Sequence, residues 1–285
     1  MSDLPPERVW GEIEKLLLLP RCPSLGLQCL RELGAIEQLF PELNALIDVP
    51  QDEEWHPEGD VFVHTKLVAD RARELIDDLP YAKRVTVMLA AVAHDFGKPA
   101  TTEFIDGRLR SRGHEEAGVA PTESFLDRLK IHAIDGYNVR SQVIAIVRDH
   151  LKPGEFFKKR NEVGDGAFRR LSRKCELDLL YRVAKADSLG RNAEHVPREK
   201  WFTAEAQDWF IERARELEVE QRPPAPILLG RHLLEMGLEP GPRVGEITKS
   251  VYEMQLDGSV LTLADARNAV EKILSADQAG DTGKK

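Results

Sequence analysis

The 285-residue sequence predicts an all-α fold. Three observations carry that expectation. Apolar residues recur at helical spacing through most of the chain. Residues that start and stop helices stand at the borders of those stripes. No segment alternates apolar and polar residues long enough to build a sheet, and the single hairpin candidate is Thr102–Arg112, with Asp106-Gly107 as its turn.

Taken in order, Val9, Trp10, Ile13, Leu16 and Leu17 give a first helix one apolar face after Pro5-Pro6. Ser24 is a candidate cap for a second helix carrying Leu25, Leu27 and Leu30, which Gly34 ends. Comparable stripes cover roughly 61–78, 82–94, 114–129, 139–151, 173–189, 199–219, 227–236, 242–256 and 262–275. The final residues, 276–285, read as a frayed end. Punctuation divides the chain into a helical lead-in over 1–50, a central part over 51–222 and a helical tail over 223–285. The Pro-rich run from Gln221 to Pro226 is the joint between the last two.

Composition narrows the function. The chain is 42% hydrophobic and 31% charged, without an apolar run that could span a bilayer, so a membrane partner is not expected. MSDLPPERVW has neither the basic region nor the apolar stretch of a signal peptide, which points to the cytoplasm. Cys22, Cys29 and Cys175 make an odd set with no CxxC pair and read as buried thiols, not as a disulfide framework. A net charge of −9 argues against broad coating of nucleic acid. Charge is uneven, however: residues 152–174 hold eight basic side chains, among them Lys158, Lys159 and Arg160, against three acids. Phe156 and Phe157 lie in the same stretch. It is either a solvated helix face or a landing place for a nucleotide or RNA end beside His150.

Six residues carry the chemistry: His64, His94, Asp95, His114, His150 and Asp187. A lone histidine on an apolar face is more often a hydrogen-bonded core residue than a ligand, and His64 alone, in VFVHTKLV, would be read so. His94-Asp95 changes that reading. The pair follows the apolar run VTVMLAAVA, and Gly97 and Pro99 end the helix there. Adjacent helical side chains point about 100° apart, so both reach one ion most easily at a helix end. A carboxylate at a helix C-terminus is disfavoured by the helix dipole, which sets Asp95 apart from an ordinary surface acid. Asp187 continues the inward stripe of Leu180, Val183 and Ala184, where an unpartnered carboxylate costs several kcal/mol. Arg191, one turn on, is its alternative partner. His150 lies behind Val143, Ile146 and Val147, and His114 opens a helix with Glu115 and Glu116.

Four imidazoles and two carboxylates suit a divalent transition metal, Mn, Fe, Co, Ni or Zn, better than Ca, with Mg also compatible. Such an ion neutralises phosphate oxygens and lowers the pKa of bound water towards ~7. Two ions are expected. Asp95 bridges them, with His64, His94 and Asp187 on one side and His114 and His150 on the other. Lys98, in HDFGK, is either a phosphate or leaving-group cation or a helix-end lysine satisfying carbonyls. Arg140 and Arg191 are weaker phosphate candidates.

The runs HTKLV, HDFGKP, GHEEAG, RDHL and KADSLGR resemble the HD superfamily of metal-dependent phosphohydrolases, and in particular the HD domain attached to bacterial tRNA nucleotidyltransferases. PSLGLQCLRELGAIEQLFPEL is similar to the neck of those enzymes, HPEGDVFVHT to the start of their HD domain, and LLGRHLLEMGLEPGPRVGEITKSVYEMQLDG to their helical tail. The resemblance covers about four-fifths of the chain. It implies an HD helical bundle over 51–222. It also implies a 2′,3′-cyclic phosphodiesterase, 2′-nucleotidase or phosphatase supported by divalent transition metals. The family's ligand roles fall on His64, His94, Asp95 and Asp187; His114 and His150 are present as two-ion members require, with a one-ion site as the alternative. Asp95 and Lys98 are the residues expected to take part in catalysis. The head's GGxVRD-like and DxD motifs do not occur in this sequence, so CCA addition by this polypeptide alone is not expected. The expected substrate is a nucleotide or an RNA end, and the expected protein partner a second copy or a separately encoded nucleotidyltransferase. A (deoxy)nucleotide phosphohydrolase and a non-catalytic RNA-binding or partner module are the competing functions. Metal content of the purified protein distinguishes the last from the other two.

Overall fold

A computed structural model describes residues 4–282. The chain runs α1 (Pro6–Leu18), α2 (Pro23–Glu32), α3 (Ala35–Leu39), α4 (Pro41–Asn44), α5 (Val61–Glu74), α6 (Tyr81–Ala93) and α7 (Lys98–Thr101). A hairpin of β1 (Thr102–Ile105) and β2 (Arg108–Ser111) follows. Then come α8 (His114–Ala117), α9 (Val119–Arg128), α10 (Val139–Asp149), α11 (Lys152–Lys158), α12 (Asp165–Leu171) and α13 (Leu177–Gly190). After a 3-10 turn at Arg198–Lys200, α14 (Glu205–Glu216), α15 (Gly230–Glu235), α16 (Pro242–Leu256) and α17 (Leu263–Thr282) complete the chain. The all-α expectation holds, with the two-stranded hairpin as the one sheet among the described residues. Its turn is Asp106-Gly107, both at positive φ (53° and 77°), which a two-residue hairpin connection needs. No described helix is long and apolar enough to cross a membrane.

Two compact units form. One takes the chain up to Arg160 together with Lys174–Arg213; the other takes Asn161–Arg173 and the chain from Ala214 onward. The lead-in helices lie in the first unit, and the chain passes to the second inside α14, before the Pro-rich run.

The first unit is built on α5, α6, α10 and α13. From Val85 to Ala93 every side chain of α6 is buried, because VTVMLAAVA is apolar but for Thr86, whose hydroxyl donates to Ala82 O at 2.8 Å. Each fully buried Val, Leu or Met there contributes roughly 1.5–3 kcal/mol. Asp60 caps α5 by accepting from Val63 N at 2.7 Å, and Asn138 caps α10 by accepting from Ser141 N at 2.9 Å. Ser24 does not cap α2: that helix starts at Pro23, and Ser24 N donates to Asp70 Oδ1 at 2.8 Å, tying α2 to α5. Gly34, at φ 68°, does end α2. The stripe read over 114–129 is interrupted at Gly118, and the one over 199–219 is α-helical only in α14, after the 3-10 turn at its start. The end expected to fray continues α17 to Thr282, and residues 283–285 lie outside the described part. All three cysteines are free; Cys175 is buried, but Cys22 and Cys29 are exposed, because α1 and α2 leave one side to solvent.

The second unit has its own core around Leu233, Ile247, Val251 and Val270. Arg170 reaches Glu253 (3.0 Å) and Asp257 (2.6 Å), Arg173 reaches Glu253 (2.6 Å), and Arg169 donates to Leu256 O (3.0 Å). The basic run 152–174 is therefore not one patch. Its later arginines join α12 to α16, while Lys152 pairs with Glu155 and Lys174 with Asp149.

Gly190 decides how closely α13 approaches α5. A methyl group there would lie 3.0 Å from Val68 N and 3.1 Å from its Cα, and backbone cannot move aside as a flexible side chain can. Gly190→Ala gains about 1 kcal/mol of helix propensity but incurs roughly 1–3 kcal/mol of overpacking. The net expectation is a lower melting temperature, by a few degrees in thermal denaturation; a melting temperature above that of the native chain would contradict it.

Candidate metal centre

The ends of the central helices converge on one point. His94 is the C-cap of α6 and His150 the C-cap of α10; His114 is the first residue of α8, His64 lies in the first turn of α5 and Asp187 in the last turn of α13. All five are buried, as is Asp95. Two of these placements rest on glycines. Gly190 lets α13 bring Asp187 up to α5 and His64, and Gly97 lets α8 close on the loop after α6. A Cβ on Gly97 would meet His114 O at 2.0 Å.

Hydrogen bonds to the helix backbone orient the rings. His94 Nδ1 is 2.8 Å from Ala91 O, His114 Nδ1 is 2.7 Å from Ser111 O, and His150 Nδ1 is 2.6 Å from Val147 O. A carbonyl only accepts, so each Nδ1 carries the proton and each Nε2 presents a lone pair. Those lone pairs face one another: His114 and His150 Nε2 are 3.2 Å apart, His64 and His94 Nε2 are 3.4 Å apart. Asp187 Oδ1 is 3.1 Å from His64 Nε2. Asp95 turns Oδ1 to His114 (3.3 Å) and Oδ2 to His94 (3.2 Å) and His64 (3.8 Å). Asp95 Oδ2 has no hydrogen-bond partner among the described residues, although Lys98 Nζ is 2.8 Å away in an ion pair.

Buried acceptors crowded against acceptors are costly without a cation among them. The donors fall into two sets, His64, His94 and Asp187 in one, Asp95, His114 and His150 in the other, each with ligand atoms within 4.8 Å of one another. This nitrogen and oxygen chemistry fits divalent transition metals. The six residues singled out by spacing are thus brought together.

The electrostatics agree. Burial would raise the Asp95 carboxyl, but His94, Lys98 and His114 outweigh it and hold it well below the ordinary carboxylate range. Asp187 is held low in the same way by Arg191, His64 and His94 against burial. Burial and the neighbouring imidazoles of His114 and His94 push His150 down to about 3, so its lone pair stays available. His64 goes the other way: burial lowers it, but Asp187 and Glu58 outweigh that and raise it.

Glu58 and His56 were not singled out in the sequence. Glu58 Oε1 lies 2.6 Å from His64 Nδ1 and 2.9 Å from His56 Nδ1. Glu58 thus does for His64 what backbone carbonyls do for the other three rings, a carboxylate behind a candidate ligand histidine. Burial works against its charge, yet the His56 and His64 imidazoles bring it down to about 2. His56 is itself lowered to about 4 by burial and Lys98. The one available signal is HPEGD, three residues ahead of HTKLV.

A cavity of about 260 Å³ opens onto the ligands, walled also by Gln51, His56, Lys98 and Arg191. Two of the three Lys98 ammonium donors reach Asp95 and Gln51 Oε1 (2.7 Å) at the cavity wall, not helix-end carbonyls. Arg191 lies 3.5 Å from Asp187 Oδ1 and also lines the cavity. Arg140 does not: Asp127 Oδ1 (2.7 Å) and Glu123 (3.7 Å) hold it at a separate groove. Lys158, Lys159 and Arg160 are exposed at the end of α11 and line no part of the cavity; Arg160 stacks on Phe157 at 4.5 Å.

Comparison with known proteins places two families on this chain. Residues 61–192 match the HD domain family. Residues 1–47 match the family described as "Probable RNA and SrmB- binding site of polymerase A". Residues 61–192 are therefore an HD domain, and its buried histidines and aspartates form groups that could hold a metal ion. The chain's kinship is with multifunctional CCA proteins. It is 40% identical over 195 residues to that of Pasteurella multocida strain Pm70 (67% of this chain, 44% of that protein). With that of Cupriavidus metallidurans it shares 38% over 176 residues (62% and 38%), and with that of Actinobacillus pleuropneumoniae serotype 5b 31% over 229 residues (77% and 52%). The chain spans about half the length of these relatives or less.

Two outcomes follow for the metal. Asp95 belongs to the contacts of both donor sets, so Asp95→Ala is expected to lose nearly all bound metal by elemental analysis, whereas His150→Ala loses about half. Equal loss in both would remove the two-set assignment. The second outcome concerns pH. Protons compete with metal for His64, whose pKa is raised by Asp187 and Glu58 against burial, so affinity at its set falls as pH drops through the neutral and mildly acid range. His150, lowered to about 3, stays deprotonated across that window. Metal content after dialysis at stepped pH should therefore fall first at His64, with anomalous diffraction showing which position empties.

Proposed function

We propose that this protein is a metal-dependent phosphohydrolase that opens 2′,3′-cyclic phosphates and removes 2′-phosphates from nucleotides or RNA ends. The observation that carries the proposal is two donor sets meeting at Asp95 on one cavity whose wall also presents Lys98 and Arg191. In this reading His64, His94 and Asp187 hold one ion, and His114 and His150 hold a second, with Asp95 shared. Two divalent transition ions, when bound, supply phosphate neutralisation and an acidified water.

The chain's own residues do the rest. Lys98 is held by Gln51 with its ammonium at the cavity wall, where it can bind a phosphate oxygen or stabilise the leaving oxygen. Arg191 offers a planar donor fork beside Asp187 for a further phosphate oxygen. Glu58 keeps the His64 ring turned with Nε2 inward. The kinship with multifunctional CCA proteins and the match of residues 1–47 to an RNA-binding family support an RNA end as substrate over a free metabolite. Because Arg140 is committed to Asp127 and Glu123, it has no part in this proposal. Lys158, Lys159 and Arg160 enter only as an outlying contact for a longer RNA.

The test compares kcat/KM for 2′,3′-cyclic AMP, 2′-AMP, 3′-AMP and a deoxynucleoside triphosphate, with Mn, Co, Ni and Mg in turn. The cyclic ester and 2′-AMP should be turned over, and Lys98→Ala should reduce kcat for both about 100-fold. Preference for the triphosphate would replace this reading with that of a (deoxy)nucleotide phosphohydrolase, and no hydrolysis by metal-loaded protein would leave an RNA-binding module.

A further inference from the structure

The cavity has an aromatic rim that the phosphate chemistry does not use. Trp55 lines the cavity while 50% of its surface stays in water, so one face of the indole is open beside the cavity. It is also buttressed. The Phe202 ring lies 6.4 Å from it, tilted by 41°. Phe202 is clamped by the buried Asn192, whose Nδ2 donates to Phe202 O (2.9 Å) and whose Oδ1 accepts from Phe202 N (2.7 Å). The Arg191 guanidinium sits 5.1 Å from the Phe202 ring and 3.5 Å from Asp187 Oδ1. A chain of contacts thus runs from the exposed indole through Phe202 and Arg191 to a metal ligand.

We propose that Trp55 is the platform on which the substrate's nucleobase stacks. The proposal rests on the reading above in one respect, that the phosphate end of the substrate occupies the ligand-lined floor. A phosphate placed there leaves its ribose pointing to the mouth and its base at the rim, where the indole stands. Every base has a π face, and stacking on an indole tolerates any sequence. The platform thus selects for the presence of a base and not for its identity. Phe202 supports Trp55 without being the surface itself, since it is less exposed and occupied by Arg191.

The test is a ratio of substrates on the metal-loaded protein. kcat/KM is measured for 2′,3′-cyclic AMP, for a short oligoribonucleotide ending in a 2′,3′-cyclic phosphate, and for glycerol 1,2-cyclic phosphate, which has no base. Trp55→Ala should lower the preference for the base-bearing esters over the glycerol ester about tenfold, through KM, and Trp55→Phe should keep most of it. Collapse for the oligonucleotide alone would assign the platform to RNA ends; collapse for both would include mononucleotides. An unchanged ratio in Trp55→Ala would overturn the proposal. Should none of the esters be turned over, the hydrolase reading falls by itself, and the platform is judged by calorimetric binding of 2′-AMP against inorganic phosphate. There Trp55→Ala should weaken 2′-AMP about tenfold relative to phosphate, and equal effects on the two would overturn it.

Discussion

Everything else in the first unit follows from one electrostatic constraint: four imidazole lone pairs and two carboxylates are turned toward each other in a buried space. Three of the rings have no rotational choice, because Nδ1 is committed to the carbonyl three residues back. The fourth is held by Glu58. Two helix C-termini add to the crowding, since α6 ends at His94 and α10 at His150, each bringing a partial negative charge of roughly half a unit. A floor built this way attracts cations and repels the anion it is proposed to act on. Lys98 and Arg191 resolve that conflict by lining the approach with positive charge while pairing with Asp95 and Asp187. On the proposed reading the same two side chains answer to both the candidate metal ligands and the phosphate.

Much of this was legible in the sequence, and the reason is periodicity. Asp187 and His64 were visible because each continues an apolar helical stripe that a polar residue should not continue. His94-Asp95 was visible because a strongly apolar helix ended on it. Glu58 was not visible, since it lies in the non-helical stretch 51–60, where no stripe marks an inward direction. Its role exists only once that loop is laid against α5. Lys98 left two readings open in the sequence, and only the distance to Asp95 separates them.

The errors have a common origin in reading charge along the chain. Arg140 looked available as a phosphate cation because its partners are distant in sequence: Asp127 and Glu123 belong to α9, brought alongside by the packing of α10. The basic run 152–174 looked like one surface because a linear count cannot see that the chain leaves one unit after Arg160 and returns at Lys174. Its arginines are matched to Glu253 and Asp257, roughly eighty residues away. Exposed ion pairs of this kind are weak singly. Here Arg170 and Arg173 share Glu253 on α16, Arg170 adds Asp257 just past its end, and the network fastens α12 to the second unit's core.

The accuracy of the site is set by backbone meeting backbone. Asp95 can touch His114 only if the loop after α6 lies against the first turn of α8, and Gly97 permits this by having no side chain where His114 O already sits. Asp187 can touch His64 only if α13 lies against α5, and Gly190 permits that against Val68. Side chains can change rotamer to absorb a misfit, but two peptide groups in contact cannot. It follows that the two donor sets are placed by two different contacts, Gly97 governing the His114 side of Asp95 and Gly190 the His64 side. A change at either glycine perturbs one set while leaving the other's backbone contact in place. The HDFGK run is then a single device, in which His94 and Asp95 supply donors, Gly97 admits the opposing ligand, and Lys98 turns back over Asp95 to face the cavity.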